Sequence, residues 1–175
     1  TMLAKKDLGI TITGVADSRS GCMDPQGIDI PGLLAVKKKT GLCGDPKISA
    51  KDVIKKADYD ILVEVSPTNA ITGEPSIGYI RTALGRKKHV VTSNKGPVSL
   101  AGKELKAKAS KNGVALRYEA TVAGAIPIMH VLEHGLAGNE ILALYGVLNG
   151  TCNYILTRMA DEGLTYDQAL LEARE

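Results

Sequence analysis

Short β-branched runs alternate with longer amphipathic stretches along most of this chain, and no other feature limits its fold as much. Residues 10–16, 61–65, 89–92, 113–119 and 140–148 read as strands. Residues 33–39, 72–84, 97–112, 126–134 and 151–161 read as helices, with Pro75 in the first turns of the second and Pro127 near the start of the fourth. A proline is tolerated at a helix start because the N–H it lacks would have no partner there. Ser49 with Asp52, and Thr165 with Gln168, have capping-box spacing and open two further helices. Gly41 and Gly113 are the expected C-terminal stops. Strands separated by helices require right-handed crossovers and hence a parallel sheet, so the expected class is α/β of the nucleotide-binding kind. Near residue 120 the alternation becomes less regular, which marks the expected domain boundary.

Composition excludes several classes. The chain has 175 residues, enough for one domain or one domain and part of a second. It has no Trp, no Phe and six Tyr, so its core is aliphatic and suits helix–sheet layers. Modules that stack nucleic-acid bases on aromatic rings are a poor match. A net charge of +3 is too small to imply a polyanionic partner. The basic clusters Lys37-Lys38-Lys39 and Arg86-Lys87-Lys88 read as solvated helix ends or turns. The three cysteines, Cys22, Cys43 and Cys152, have neither zinc-site nor disulfide-framework spacing, which fits a reducing cytoplasm. No apolar run reaches the ~18 residues that span a bilayer. The N-terminus lacks the apolar stretch of a signal peptide.

A dinucleotide fold ordinarily begins with a strand and a GxGxxG turn. That motif is absent here: the chain begins as if at the end of a first helix and closes inside a last one. The expectation is an internal piece of a longer enzyme.

Several loops can carry chemistry. Asp17 ends the first strand, where an acidic residue can accept hydrogen bonds from a ribose; taken alone, it reads more readily as a loop aspartate capping a turn. Arg19 can hold a 2′-phosphate instead. Ser66-Pro67-Thr68-Asn69 and Thr92-Ser93-Asn94-Lys95-Gly96 each follow a strand's carboxyl end, the edge where open α/β sheets bind ligands. Lys95 can pair with a carboxylate or handle a proton, or be a surface lysine at a helix start. Glu119 and the carbonyls of the tight turn after it can hold a hard or monovalent cation, or simply form a strand-to-helix turn. Residues 149–153 offer backbone N–H groups to an anion, or form a capped helix start. His130 and His134, four residues apart, read as a helix-surface pair, and Cys152 as a core-packing residue rather than a nucleophile.

The order of these segments is more specific than any one of them. VEVSPTNAITGEP, ALGRKKHVVTSNKGPV, RYEATVAGAIPI and GVLNGTCNYILTRM follow one another, and together they resemble homoserine dehydrogenase over residues 10–175. TSNKGP and LNGTCNYIL carry most of the specificity, and the first half resembles the archaeal type without a fused kinase.

The resemblance implies a Rossmann-like doubly wound parallel sheet over residues 1–120, without its first strand and glycine-rich turn. Residues 121–175 would begin an α+β catalytic and dimerisation domain. It further implies an oxidoreductase interconverting L-aspartate 4-semialdehyde and L-homoserine with NADP or NAD, in threonine and methionine biosynthesis. Asp17, Arg19, Ser66, Pro67, Thr68, Ser93 and Lys95 would bind the cofactor, with Lys95 also catalytic. Gly150 and Thr151 would lie beside the substrate, and Glu119, Val122, Gly124 and Ile126 would hold Na⁺ or K⁺. The expected partner is a second copy in a homodimer, with neither nucleic acid nor membrane involved, and this piece alone is expected to be inactive. Two rival readings are a non-catalytic nucleotide-binding regulatory domain and a dehydrogenase of another semialdehyde.

Overall fold

The computed structural model describes residues 8–124 and 126–174. The expected tail of a first helix falls largely on residues 1–7, outside the described residues. The chain divides into two compact units, Thr1–Thr121 and Val122–Glu175, and each is described by itself.

In the first unit, β3 (Ile61–Glu64), β4 (His89–Thr92) and β5 (Leu116–Arg117) form a parallel sheet in that order. Here β1 (Gly14–Ala16) and β2 (Gly21–Met23) precede them, and α1 is Ile30–Thr40 and α2 Ala50–Lys56. The crossovers are α3 (Ser76–Gly85) and α4 (Lys95–Asn112). Leu62 and Val90 sit side by side in the β3–β4 register and face these helices. They meet Ile54 of α2, Ile80, Ala83 and Leu84 of α3, and Leu105 and Ala109 of α4 in one aliphatic core. Ile61, Val63 and Val91 alternate onto the opposite, exposed face.

Local chemistry sets most helix ends. The Ser49 hydroxyl accepts from the Asp52 N–H and the Asp52 carboxylate accepts from the Ser49 N–H, the reciprocal cap expected at α2. Asn94 caps α4, and Gly41 and Gly113 end α1 and α4 in the left-handed conformation. The expected helix over 72–84 starts later, at Ser76, with Pro75 as its N-cap residue. The residue before a proline is driven out of the helical region by the ring, so α3 cannot extend back through Glu74.

The first strand differs from its expectation. Only Gly14–Ala16 is a strand, and it pairs antiparallel with β2 instead of joining the parallel sheet. The partner lies in a Gly-, Pro- and Asp-rich segment without apolar alternation, which is why it reads as irregular in sequence. Gly14 permits the hairpin to sit on α2: a Cβ there would lie 2.7 Å from the Val53 side chain.

The basic clusters are not simply solvated. Arg86 donates to the carbonyls of Ile54 and, at 3.1 Å, Ala57, closing the C-terminal end of α2. Its guanidinium lies 5.1 Å from the centre of the Tyr59 ring. Lys37 of α1 donates to Asp17 in the β1–β2 turn, and Arg19 donates to the Gly41 carbonyl at the end of α1 at 2.5 Å. The turn is thereby tied to α1 at two points.

In the second unit, a short α5 (Ile128–His130) runs into one π-helical turn, Val131–Gly135. Then α6 (Gly150–Glu162) and α7 (Tyr166–Glu172) meet through Ile155 and Ala169, and Arg158 bonds Glu172 at 2.9 Å. The expected strand over 140–148 does not form: Ile141, Leu142, Leu144, Tyr145 and Val147 are exposed, and no ladder includes them. Alternation alone makes no strand, because each backbone N–H and C=O needs a neighbouring strand to bond, and none pairs with this run among the described residues.

The Asp17 clamp gives an acid-stability prediction. The Lys37 ammonium first, then the Arg19 backbone N–H, hold the Asp17 carboxyl well below the usual carboxylate range. Its contribution to stability is therefore complete above the unfolded-chain value of about 4 and is lost as the pH falls below that. Asp17→Asn should shrink the loss of urea midpoint between about pH 6 and about pH 2, relative to wild type. An unchanged loss would mean that the clamp adds nothing to stability.

Candidate functional site

Parallel strands end on the same edge of a sheet, so the loops after β3 and β4 emerge side by side. The register pairs Glu64 with Thr92 as the last residues of the two strands. One loop continues through Ser66, Pro67, Thr68 and Asn69, and the other is Ser93 and Asn94, leading into Lys95, the first residue of α4. Pro67, Thr68 and Lys95 are exposed. Gly96 is where the loops touch: a Cβ there would lie 2.7 Å from the Asn69 carbonyl oxygen. Any side chain would force the two backbones apart, which is the close approach that glycine permits.

Beneath the exposed residues lies a buried polar cluster. Glu64, Thr92, Asn94 and Ser76 are each at most 4% exposed. One oxygen of Glu64 accepts from the Ser66 N–H at 2.9 Å and from the Ser66 hydroxyl, and the other accepts from the Thr92 hydroxyl at 2.9 Å. Thr92 Oγ1 accepts from the Asn94 N–H at 3.0 Å. The Asn94 amide donates to the Ser66 carbonyl at 3.2 Å and to Ser76 Oγ at 3.0 Å, while its oxygen accepts from the Gly96 N–H at 3.2 Å. The Ser66 and Ser76 hydroxyls are 2.8 Å apart. Ser66 therefore turns its hydroxyl inward, and Pro67 and Thr68 form the outer surface of the loop.

Glu64 and Ser76 were not among the residues singled out in the sequence, and Asn94 was named only as part of its loop. The available signal was Glu64 itself, a carboxylate inside the apolar run ILVEV. A charge in a strand expected to be buried needs partners.

The other expected residues fall in separate places. Asp17 and Arg19 share the β1–β2 turn, where Asp17 Oδ1 accepts from the N–H groups of Arg19 and Ser20 at 2.7 and 2.8 Å. Asp17 thus caps its own turn while Lys37 neutralises it. Glu119 begins a 3₁₀ turn, Glu119–Thr121, that closes the first unit. Tyr118 before it is buried, with the Lys106 ammonium 4.8 Å from its ring centre.

In the second unit, Val122, Gly124 and Ile126 lie in a tight turn. Ala123 and Gly124 both have positive φ, and the Ile126 N–H bonds the Ala123 carbonyl at 3.1 Å. Gly150 and Thr151 open α6 behind the Asn149 cap, which accepts from the Cys152 N–H at 2.8 Å. Cys152 is exposed, contrary to the core position expected for it. Residues at a helix start carry side chains over the preceding turn, and the residues of that turn, Leu148, Asn149 and Gly150, are themselves exposed. The His130 and His134 rings lie 4.9 Å apart and tilted. No group of three or more His, Cys, Asp or Glu that could hold a metal occurs among the described residues. No helix among them is long and apolar enough to cross a membrane.

Two family models match the chain: the NAD binding domain of homoserine dehydrogenase over residues 2–119, and homoserine dehydrogenase over residues 127–175. A homoserine dehydrogenase of Methanocaldococcus jannaschii is 46% identical over 94% of this chain and 50% of its own length. An NAD(+)-dependent homoserine dehydrogenase of Pseudomonas canavaninivorans is 39% identical over 97% of this chain and 50% of its own. Among solved structures, a putative homoserine dehydrogenase of Archaeoglobus fulgidus superposes with a TM-score of 0.82 at 40% identity, covering 99% of this chain and 54% of that one. A hyperthermophilic archaeal homoserine dehydrogenase in complex with NADPH superposes at 0.74 with 30% identity, over 93% of this chain and 50% of that one. The chain thus spans about half the length of the relatives it matches. With a Rossmann-like parallel sheet and both family models in chain order, it belongs to the homoserine dehydrogenase family.

Proposed function

We infer that this chain supplies the cofactor-binding region and the opening of the catalytic region of a homoserine dehydrogenase. The reaction is the interconversion of L-homoserine and L-aspartate 4-semialdehyde with NAD(P), a step toward threonine and methionine in the cytoplasm, carried out by a homodimer. The observation that carries the reading is the pair of adjoining loops at the carboxyl ends of β3 and β4, with Lys95 exposed at their junction, in a chain of this family. The exposed residues Pro67 and Thr68, at the carboxyl end of β3, lie where open α/β sheets bind dinucleotides.

A bound nicotinamide supplies hydride chemistry, and the protein supplies orientation and electrostatics. When homoserine is oxidised, its C4 carbon gives up a hydride and its hydroxyl a proton. In reverse, the aldehyde oxygen gains negative charge as hydride arrives. The Lys95 ammonium is suited to stabilise that oxygen, or to anchor the substrate carboxylate, because α4 starts rigidly at this residue through the Asn94 cap. Gly150 and Thr151 line the substrate side in this reading. In the intact protein, Lys95→Ala should lower homoserine-dependent NADP⁺ reduction by ~10²-fold or more. Near-normal turnover would remove Lys95 from the mechanism.

For the proposed Na⁺ or K⁺ ion, the family resemblance points to the Glu119 carboxylate and the carbonyls of Val122, Gly124 and Ile126 as ligands. One carboxylate and backbone oxygens are the donor set of a hard monovalent cation. The Ile126 carbonyl already accepts from the Ile128 N–H at 2.9 Å and has a second lone pair for an ion. Replacing all sodium and potassium with a bulky organic cation should lower activity. Unchanged activity would dismiss the site.

Both cofactors are expected to bind, with NADP modestly preferred. Lys37 neutralises Asp17, which removes most of the repulsion a 2′-phosphate would meet, and Arg19 lies in the same turn. A guanidinium can grip phosphate through two parallel hydrogen bonds. Separate titrations with NADPH and NADH at low salt test this. Arg19→Ala should lower NADPH affinity relative to NADH; an unchanged ratio would favour Asp17 as a ribose acceptor and NAD as the cofactor.

A further inference from the structure

Glu64 combines features that rarely coexist without a purpose. It is 4% exposed although it ends β3, an edge strand of the described sheet, and no Lys, Arg or His pairs with it among the described residues. A lone charge in the interior is costly unless hydrogen bonds satisfy it. Here the Ser66 N–H, the Ser66 hydroxyl and the Thr92 hydroxyl all donate to it, and no buried side-chain polar atom among the described residues lacks a partner.

The proton directions follow from counting. The Asn94 amide donates to Ser76 Oγ, so the Ser76 proton is free to point at Ser66 Oγ. The Ser66 proton then goes to Glu64, as does the Ser66 N–H. The Asn94 N–H occupies Thr92 Oγ1, and the Thr92 proton goes to the other carboxylate oxygen. Both chains of donors start at Asn94 and end on Glu64, one through α3 and the β3 loop, the other through β4. An ionised carboxylate, which only accepts, terminates both at once.

We propose that Glu64 is a positioning residue: as a carboxylate, it locks the β3 loop to the Asn94 cap of α4 and so sets the register of Pro67–Thr68 against Lys95. The inference rests on reading these loops as the cofactor site. Its mechanical consequence is specific. Asn94 is at once a member of the cluster and the residue whose side chain fixes the first turn of α4. Tilting Asn94 therefore moves Lys95. A glutamine has the same shape but carries two amide hydrogens. Turned to one side they face the Ser66 N–H and O–H; turned to the other they face a Thr92 hydroxyl that has lost its acceptor. Either arrangement breaks one of the two chains.

The test compares Glu64→Gln, Thr92→Val and Thr92→Ser in the intact protein. It reads kcat and cofactor KM with homoserine, NADPH affinity by fluorescence titration, and melting temperature. A displaced positioning contact costs ~10- to 100-fold in turnover, so Glu64→Gln and Thr92→Val should lower kcat by at least ~10-fold and raise cofactor KM. Thr92→Ser, which keeps the hydroxyl, should restore both, whatever the melting temperatures. Glu64→Gln with kcat and cofactor KM within about twofold of wild type overturns the proposal. If Glu64→Gln does not fold, equal kinetics for Thr92→Val and Thr92→Ser overturn it. A wild-type protein that binds NADPH but does not oxidise homoserine refutes the dehydrogenase reading alone. The titration then decides the role of Glu64: weaker NADPH binding in Thr92→Val than in Thr92→Ser supports it, and equal binding overturns it.

Discussion

Parallel pairing of β3 with β4 and of β4 with β5 is the constraint on which the rest of the first unit depends. Parallel strands cannot be joined by a tight turn, so each needs a helix to carry the chain back. Those helices, α3 and α4, bring Ile80, Leu84 and Leu105 onto the sheet and bury them completely. The same geometry puts the end of every strand on one edge. The loops that follow β3 and β4 thus become neighbours although Ser66 and Asn94 are 28 residues apart. The site is a by-product of the direction of the strands.

The edge also accounts for the most polar part of the interior. At the last pair of the β3–β4 register, side chains face helix starts instead of apolar helix faces. Helix starts present N–H groups that need acceptors. Thr92 and Asn94 meet that need locally, and Glu64 collects the remaining hydrogens of the cluster. Polar burial here is compatible with the aliphatic core two pairs earlier on the same face, where Leu62 lies beside Val90.

Basic residues act away from this edge as fasteners. Arg86 closes α2, Arg19 meets the end of α1, and Lys37 returns to Asp17. Carbonyls at a helix end lack internal partners and carry partial negative charge, so a cation is favoured there. A run of lysines at the end of a helix is legible from sequence. Which of them turns back onto another element is not, because the acceptor lies 20 residues away for Lys37 and 32 for Arg86.

Local chemistry determined much of this protein from sequence alone. The Ser49–Asp52 and Thr165–Gln168 caps, the glycine stops at Gly41 and Gly113, and the strands at 61–64 and 89–92 depend on residues close together in the chain. The parallel class follows from their alternation, and the family from the order of four motifs. Only the tertiary structure decided that β1 pairs with a glycine-rich segment in a hairpin and that residues 140–148 form no strand. It alone showed that Asp17 is held by Lys37 and that Glu64 joins two loops. Each of these turns on whether a distant partner is present to complete a hydrogen bond. Periodicity records which face of an element is apolar; it carries no information about what lies opposite a polar group.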